Sequence, residues 1–211
     1  MKTNSRFLFA ILVLGLGIHI SCSGDGNDGS SSGKDNNIAN YRTVQIGTQT
    51  WMAENLNYDV KGSICNENDP ANCQKYGRLY DWKTAKKVCP AGWHLPSEDE
   101  WTVLIDFVGG ESIAGTKLKS ITDDWIHNGD LGNGTDDFGF SALPGGGGRS
   151  NGKKFFRDGI GFWWSATEGI NVESKKPCAY YIGMVSEDSG LERGCSQNDG
   201  GRLFSVRCVK D

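Results

Sequence analysis

The sequence predicts an α+β domain that is stapled by disulfides and preceded by an export segment. Three observations lead to this prediction: an apolar leader ends at Cys22, six further cysteines follow it, and two helical patterns lie between an early hairpin and late strand-like segments. The 211-residue chain is long enough for one such domain and a short tail. Seven Trp, nine Phe and six Tyr residues supply the large side chains that its core needs.

Residues 1–22 have the organisation of a signal peptide. Two basic residues precede an apolar run over residues 7–20, and Ser21 separates that run from Cys22. A small residue directly before a cysteine resembles the bacterial lipobox, whose cysteine receives a lipid and becomes the new N-terminus. We therefore expect Cys22 to be the site of lipid attachment. Because His19 stands where the lipobox usually has Leu, ordinary signal-peptide cleavage nearby is the alternative.

Residues 23–40 form the predicted tether. Fifteen of these eighteen residues are Gly, Ser, Asn or Asp, a composition typical of a flexible spacer.

Loss of the leader would lower the formal net charge from −4 to −6, which disfavours nucleic acid as a partner. Ser23 follows Cys22 where an Asp would favour retention in the inner membrane. We expect an exported protein, anchored by lipid in the outer membrane and displayed at the cell surface.

The domain spans residues 41–211 and begins with a predicted hairpin. Residues 43–46 and 49–52 alternate polar and apolar side chains around a Gly-Thr pair. Apolar residues at helical spacing then predict a short helix over residues 81–88, which places Cys89 at a helix end.

A second helix is predicted over residues 97–108. Ser97 and Glu100 have the spacing of a capping box, and four apolar residues follow at i, i+3, i+4 and i+7. Glycine and polar residues dominate from 128 to 161, which indicates long loops with brief strands. Late strands are predicted over residues 162–166, 178–185 and 203–209.

The six cysteines that follow Cys22 are even in number, as expected for disulfides in an oxidising compartment. They are Cys65, Cys73, Cys89, Cys178, Cys195 and Cys208. Cys65 and Cys73 bracket a turn-rich stretch whose ends meet easily, so we pair these two first, and the other pairings stay open. Close Cys or His pairs of the kind that zinc needs are absent from the sequence after Cys22, so no structural zinc is predicted.

Six stretches in order resemble the Fibrobacter succinogenes major paralogous domain. They are TVQIGTQTWMAENLN (43–57), YGRLYDW (76–82), CPAGWHLPS (89–97), NGTDDFGFSALPGG (133–146), WWSATE (163–168) and FSVRCVKD (204–211). Proteins of this family are typically secreted or lipidated surface proteins, many of them from Bacteroidetes and Fibrobacteres. The resemblance implies a C-type lectin-like fold, while the family's biochemical role is essentially undefined.

The resemblance also implies a disulfide pattern and a class of function. By analogy with lectin-like domains, Cys89 would pair with Cys208, and Cys178 with Cys195 would close the late hairpin. We expect a non-catalytic binding or adhesion module for an extracellular glycan or protein, whose long loops on a rigid scaffold carry the contacts. No cofactor is implied.

The candidate ligand contacts are Trp163, Trp164, Asn198, Asp199 and Arg202. The two Trp residues could offer a stacking face to a sugar, although one of two adjacent strand residues usually points inward. The sequence lacks the Glu-Pro-Asn or Gln-Pro-Asp triplet of calcium-dependent lectins, so glycan binding is an analogy of fold.

Carboxylates of the glycine-rich loops are weak candidates for calcium. Asp136 and Asp137 could supply oxygen ligands, but they do not follow the order of an EF-hand, and such residues usually cap turns.

Two alternatives to a binding module stay open. Residues 95–101 and 206–208 are similar to segments of the formylglycine-generating enzyme family, which also has a lectin-like fold. A capped helix and a final strand explain the same residues, so we do not expect an enzyme. The other alternative is a structural or assembly component of the cell surface, whose ligand is another protein.

Overall fold

A computed structural model describes residues 41–125, 134–151, 159–197 and 201–211. The predicted signal peptide and tether, and with them Cys22, lie outside these residues. The described part contains four helices and eleven strands in two sheets, an α+β arrangement. None of its helices combines the length and apolar character needed to span a membrane.

A four-stranded antiparallel sheet brings the start and the end of the domain together. Its strands, in spatial order, are β1 (Thr43–Ile46), β2 (Gln49–Met52), β11 (Val209–Lys210) and β5 (Trp93–His94). The predicted hairpin is confirmed, and Gly47 supplies the positive φ of 59° that its tight turn requires. Because β11 lies between β2 and β5, the last residues of the chain hold the first strands in place.

The larger sheet consists of seven strands. Its spatial order is β3 (Ser63–Ile64), β4 (Leu79–Tyr80), β10 (Arg202–Ser205), β7 (Ile160–Ile170), β8 (Pro177–Val185) and β9 (Glu192–Gln197), with β6 (Gly148–Arg149) paired to β10. The late antiparallel strands are confirmed in β7 and β8, and β9 was not predicted. Strand β10 runs parallel to β7, which corrects the prediction of a purely antiparallel set.

The predicted strand 203–209 is wrong as a single element. It divides into β10 of the larger sheet and β11 of the smaller one, and residues 206–208 cross between the two sheets. The alternation of side chains continues through this crossing, so the sequence pattern contains no sign of the break.

Two of the four helices were predicted. The helices are α1 (Pro70–Tyr76), α2 (Trp82–Val88), α3 (Glu98–Phe107) and α4 (Glu111–Leu118). Helices α2 and α3 are confirmed, and Ser97 and Glu100 form the complete capping box at the start of α3. The prediction of only two helices is wrong because α1 begins inside the stretch taken as a turn, where the Asp69 carboxylate accepts a 2.9 Å hydrogen bond from the Ala71 N–H.

Helix α4 escaped prediction because its sequence is a poor helix former. Gly115 lies in its interior, where glycine is normally unfavourable. A Cβ atom at this position would lie 1.9 Å from the carbonyl oxygen of Gly190. Packing of the helix against the 189–190 loop therefore requires this glycine.

Hydrophobic clusters cover both faces of the larger sheet. Adjacent residues of β7 point in opposite directions, so Trp164 enters one cluster and Trp163 the other. Trp164 packs against Phe204 with their ring centroids 4.3 Å apart. In the other cluster Trp51 and Trp101 lie 4.9 Å apart. Aromatic side chains thus form much of the core, as the composition predicts.

Three disulfides staple the domain in the predicted pairing. Cys65 bonds to Cys73, Cys89 to Cys208 and Cys178 to Cys195, with Cα–Cα distances of 4.9, 6.0 and 5.5 Å. The second disulfide joins residues 119 positions apart, from the end of α2 to the start of β11. A loop of that length corresponds to a stabilisation of about 4–5 kcal/mol in the chain-entropy model.

Candidate functional site

A cleft of about 450 Å³, here called the loop cleft, opens where three loop segments meet the end of α1. The segments are residues 53–57 after β2, residues 73–77 at the end of α1, residues 120–122 after α4, and residues 136–143. Most of its lining residues carry amides, hydroxyls or charged groups, although apolar atoms make up the larger part of its surface. A concave surface with convergent polar groups is the usual form of a ligand site.

The floor of the loop cleft is organised by a buried amide. The Asn55 Oδ1 accepts a 2.8 Å hydrogen bond from the Nη2 of Arg207 and another 2.8 Å bond from the indole Nε1 of Trp163. Its Nδ2 donates to the carbonyl oxygen of Tyr76 at 2.8 Å. Asn55 therefore joins the cleft to the core of the larger sheet and to the end of α1.

Asn57 contributes an acceptor without a partner. Its side chain is only 5% exposed, and its Oδ1 makes no hydrogen bond to any described residue. The backbone N–H of Asn57 donates to the hydroxyl of Tyr41 at 3.2 Å, which holds this part of the chain in place. A buried acceptor that lacks a donor is costly, and a donor from a ligand would remove that cost.

Asp136, one of the two weak calcium candidates, lines the loop cleft but caps a turn. Its carboxylate accepts 2.7 Å bonds from both the backbone N–H and the hydroxyl of Ser141. Asp137, the other candidate, is exposed and lies outside the lining. Across the four described ranges, no group of three or more His, Cys, Asp or Glu residues is placed to hold a metal ion.

Charged groups at the rim of the loop cleft are paired. The ammonium of Lys75 forms an ion pair with Asp124, and this hydrogen bond raises the pKa of Lys75. The hydroxyl of Tyr76 donates to the same carboxylate at 3.3 Å, and burial raises the pKa of Tyr76. On the opposite side the Glu54 carboxylate accepts a 2.8 Å bond from the backbone N–H of Arg42.

The proposed stacking role of Trp163 and Trp164 is wrong. Their exposed fractions are 0% and 1% because β7 is central in its sheet and both of its faces are covered. The indole Nε1 of Trp164 donates to the carbonyl oxygen of Tyr80 at 2.7 Å. Both rings are core residues, and Trp163 reaches the loop cleft only through Asn55.

Arg202 lies apart from the loop cleft. It lines a second polar cleft of about 430 Å³, where it is paired in register with Arg149 on the neighbouring strand. Asn198 and Asp199 fall outside the described residues. The described candidates Trp163, Trp164 and Arg202 therefore do not meet in the loop cleft.

Sequence reasoning missed the residues that organise the loop cleft. Asn55, Asn57 and Arg207 all lie within stretches that carry the family resemblance. The sequence does contain one signal for Asn55 and Asn57, since these two amides follow β2 directly and share their segment with the apolar residues Ala53 and Leu56, which are buried. Polar side chains buried beside apolar ones need specific partners, which marks such a segment as organised.

The segments that resemble formylglycine-generating enzymes have structural roles here. Residues 97–101 contain the capping box and the first turn of α3. Cys208 is bonded to Cys89, so neither cysteine presents a thiol.

Comparison with known proteins identifies a family and no individual relative. Neither the curated proteins nor the solved structures contain a significant match to this chain. The model of the Fibrobacter succinogenes major domain matches residues 44–210, a span that includes all four helices, both sheets except Thr43, and the loop cleft except Arg42. The chain therefore belongs to the Fibrobacter succinogenes major domain family.

Proposed function

We propose that this protein is an exported cell-envelope lipoprotein whose domain is a non-catalytic, lectin-like module that binds an extracellular glycan. The loop cleft is its binding site. The observation that carries the proposal is Asn57, which lines the cleft and whose buried Oδ1 has no donor among the described residues.

A sugar suits this site because hydroxyl groups are donors as well as acceptors. When the Asn57 side chain turns toward the ligand, one hydroxyl can donate to its buried Oδ1, while neighbouring hydroxyls reach the rim at Glu54 and Gln74. The partly buried ring of Tyr76 adds an apolar surface of the kind on which sugar rings stack. The alternative ligand is a loop of another protein that presents a hydroxyl or an amide to the same acceptor.

Three general features of the architecture support the lectin-like part of the proposal. The first and last strands share one sheet, a disulfide ties α2 to the start of β11, and long loops form the candidate site on a cross-linked scaffold. We propose that recognition needs no metal. Glycan binding that persists in excess chelator would support this part, and binding that requires added calcium would contradict it.

Substitution of Asn57 tests the site. The protein is screened on a glycan array, and the best-bound glycan is titrated against wild type and Asn57→Ala. We expect at least a tenfold loss of affinity, with thermal stability unchanged or raised because a buried acceptor without a partner is removed.

Gln45→Ala, an exposed amide outside the loop cleft, is the matched control and should bind normally. Retention of full affinity by Asn57→Ala, or equal loss in Gln45→Ala, would reject the site. An array with no bound glycan would reject the glycan-binding function itself.

Lipid anchoring requires its own test. We propose that Cys22 carries the lipid and that the protein is held at the outer membrane, where the domain faces the outside of the cell. Cys22→Ser should lose incorporation of labelled fatty acid and leave the membrane fraction. Protease treatment of intact cells should remove the wild-type domain, and unchanged membrane association of Cys22→Ser would refute the anchor.

An assembly role is the second candidate because α3 presents apolar side chains to solvent. Val103 is 47% and Phe107 55% exposed, and Phe107 packs edge-on against Phe138 at 5.8 Å between ring centroids. Exposed apolar groups of this kind favour contact with another protein. If Val103→Ser/Phe107→Ser abolished crosslinks to other surface proteins on intact cells while glycan binding persisted, assembly would be a separate function.

A further inference from the structure

A second cleft, here called the lysine cleft, lies between α2 and the loop before β3, and its volume is about 390 Å³. Tyr58, Val60 and Val88 provide its apolar lining. Three exposed lysines line it as well, Lys61 from the loop and Lys83 and Lys87 from α2. None of these residues lines the loop cleft.

The lysine cleft is a positively charged region on a protein whose net charge is negative. The whole chain is acidic, with a formal net charge of −4, yet the three lysines are exposed and form no ion pair with any described residue. The carboxylates closest in sequence are already engaged, because Asp59 pairs with Arg78 at 2.8 Å and Asp81 caps α2.

The arrangement of the three lysines is itself unfavourable. Lys83 and Lys87 are four residues apart on one helix, so their like charges repel each other, and Lys61 adds a third positive charge to the same cleft. A bound anion would relieve this repulsion.

The shape of the lysine cleft favours a ring-shaped ligand over a flat charged surface. Its apolar side chains and its lysines line the same concavity, so a flat bilayer would meet the exposed lysines without covering the apolar part. A sugar ring can lie against the partly buried ring of Tyr58 and place a substituent among the lysines.

We propose that the lysine cleft binds a carboxylated sugar residue of an acidic polysaccharide. The pyranose ring lies against Tyr58, with its C–H groups toward Val60 and Val88. The carboxylate accepts charge-assisted hydrogen bonds from the ammonium groups of Lys83 and Lys87. This site goes beyond the loop cleft and does not depend on it, since the two clefts share no residue.

The test compares two forms of one ligand on the full chain. The probes are an oligogalacturonate and its fully methyl-esterified form, which has the same ring and length but no carboxylates. We expect wild type to bind the acid at least tenfold more tightly than the ester, with affinity falling as salt is raised. Lys83→Gln/Lys87→Gln should weaken binding of the acid by at least tenfold, because exposed lysines can be replaced without unfolding the domain.

Lys175→Gln/Lys176→Gln is the matched control, since it removes two exposed lysines that lie outside the cleft. Asn57→Ala should bind the acid normally, which separates this site from the glycan site of the loop cleft. Equal binding of acid and ester, or equal loss in the control pair, would overturn the proposal. Glycerol phosphate that competes as well as the oligogalacturonate would also overturn it and would assign the cleft to lipid headgroups.

Discussion

Two buried cations, Arg207 and Lys119, are held in different ways in this domain. Both residues are 0% exposed, and both donate mainly to backbone carbonyl groups. Arg207 lies between the two sheets at the floor of the loop cleft, whereas Lys119 follows α4 and reaches the loop between β8 and β9. No carboxylate forms a direct ion pair with either one among the described residues.

Arg207 uses its planar fork to join distant parts of the chain. Besides Asn55, its guanidinium donates to the carbonyl oxygens of Met52 and Phe140 and lies 4.4 Å from the Phe140 ring centroid. Burial lowers its pKa, and the carboxylates of Glu54 and Asp136 oppose that effect. The group remains charged at neutral pH, so it is a permanent link.

Lys119 uses a single point of charge to close one loop. Its Nζ donates to the carbonyl oxygens of Val185, Ser186 and Asp188 at 2.8, 3.3 and 2.6 Å. Burial lowers its pKa from 10.5 to about 8, although nearby carboxylates oppose the shift. Because the Arg207 guanidinium joins distant parts of the fold, its loss should lower the stability of the whole domain. Because the Lys119 ammonium holds one loop, its loss should affect mainly that loop, and the size of the effect should depend on pH.

Loss of Arg207 should produce the largest effect. Arg207→Met removes one of the two residues that donate to Asn55 and takes the guanidinium away from the carbonyl groups of Met52 and Phe140, so we expect a loss of about 3–5 kcal/mol in the free energy of unfolding. That loss is a large share of the 5–15 kcal/mol typical of a domain. Urea unfolding followed by tryptophan fluorescence measures it.

Arg207→Lys is the matched variant, because it keeps the charge and loses the fork. We expect it to recover less than half of the loss, since one ammonium cannot reach all the acceptors of a guanidinium. If the free energy of unfolding of Arg207→Met lay within 1 kcal/mol of the wild-type value, the Arg207 guanidinium would not be what joins these distant parts of the chain.

Loss of Lys119 should be milder and should depend on pH. Lys119→Met removes the donor from three carbonyl groups, at a cost of about 1–3 kcal/mol near pH 7. Hydrogen exchange should quicken mainly in the loop between β8 and β9.

The pH dependence of this loss has a definite sign. The folded-state pKa of Lys119, about 8, is below its unfolded value of 10.5, so between these values the unfolded chain binds the proton that the folded chain lacks. The stability of wild type relative to Lys119→Met should therefore rise from pH 8 to 10.5. A flat or falling difference over this range would contradict the burial of the ammonium.

Neither buried cation could be predicted from the sequence, while the elements around them largely could. Helix α3 is specified by adjacent residues, because Ser97 and Glu100 cap it without help from the rest of the fold. The burial of Arg207 depends on Asn55, 152 positions away, and on a chain crossing between two sheets that alternation cannot reveal. Arginine and lysine are usually exposed, so the general expectation also pointed the wrong way.

In the candidate site, too, features set by neighbouring residues could be predicted, and features that depend on residues far apart in the sequence could not. The positions of the cysteines suggested one short disulfide directly, and family resemblance supplied the two longer pairings that the structure contains. The loop cleft depends on three loop segments meeting the end of α1, so the amide pair Asn55 and Asn57 marks an organised segment but does not indicate what lies around it. Trp163 and Trp164 were attractive candidates because aromatic residues bind sugars, but a central strand buries both faces.

His94 provides the exposed counterpart to the two buried cations, and its effect should be the smallest. Its side chain is 40% exposed and lies between two carboxylates, with Nδ1 2.6 Å from Asp211 and Nε2 2.7 Å from Glu100. Burial alone would lower its pKa, but the hydrogen bonds to Asp211 and Glu100 outweigh burial and raise the pKa above 6.5.

A raised histidine pKa stabilises the fold below pH 6.5, and this contribution disappears as the pH rises through the folded-state pKa. We therefore expect wild type to exceed His94→Gln by roughly 0.5 kcal/mol at pH 5.5 and by less at pH 9, because exposed pairs are screened by solvent. Urea midpoints at the two pH values, repeated in 0.5 M salt, measure the difference. If the difference grew with pH, as expected for Lys119, or resisted salt, as expected for Arg207, His94 would behave like a buried cation, and exposure would not explain why the three residues differ.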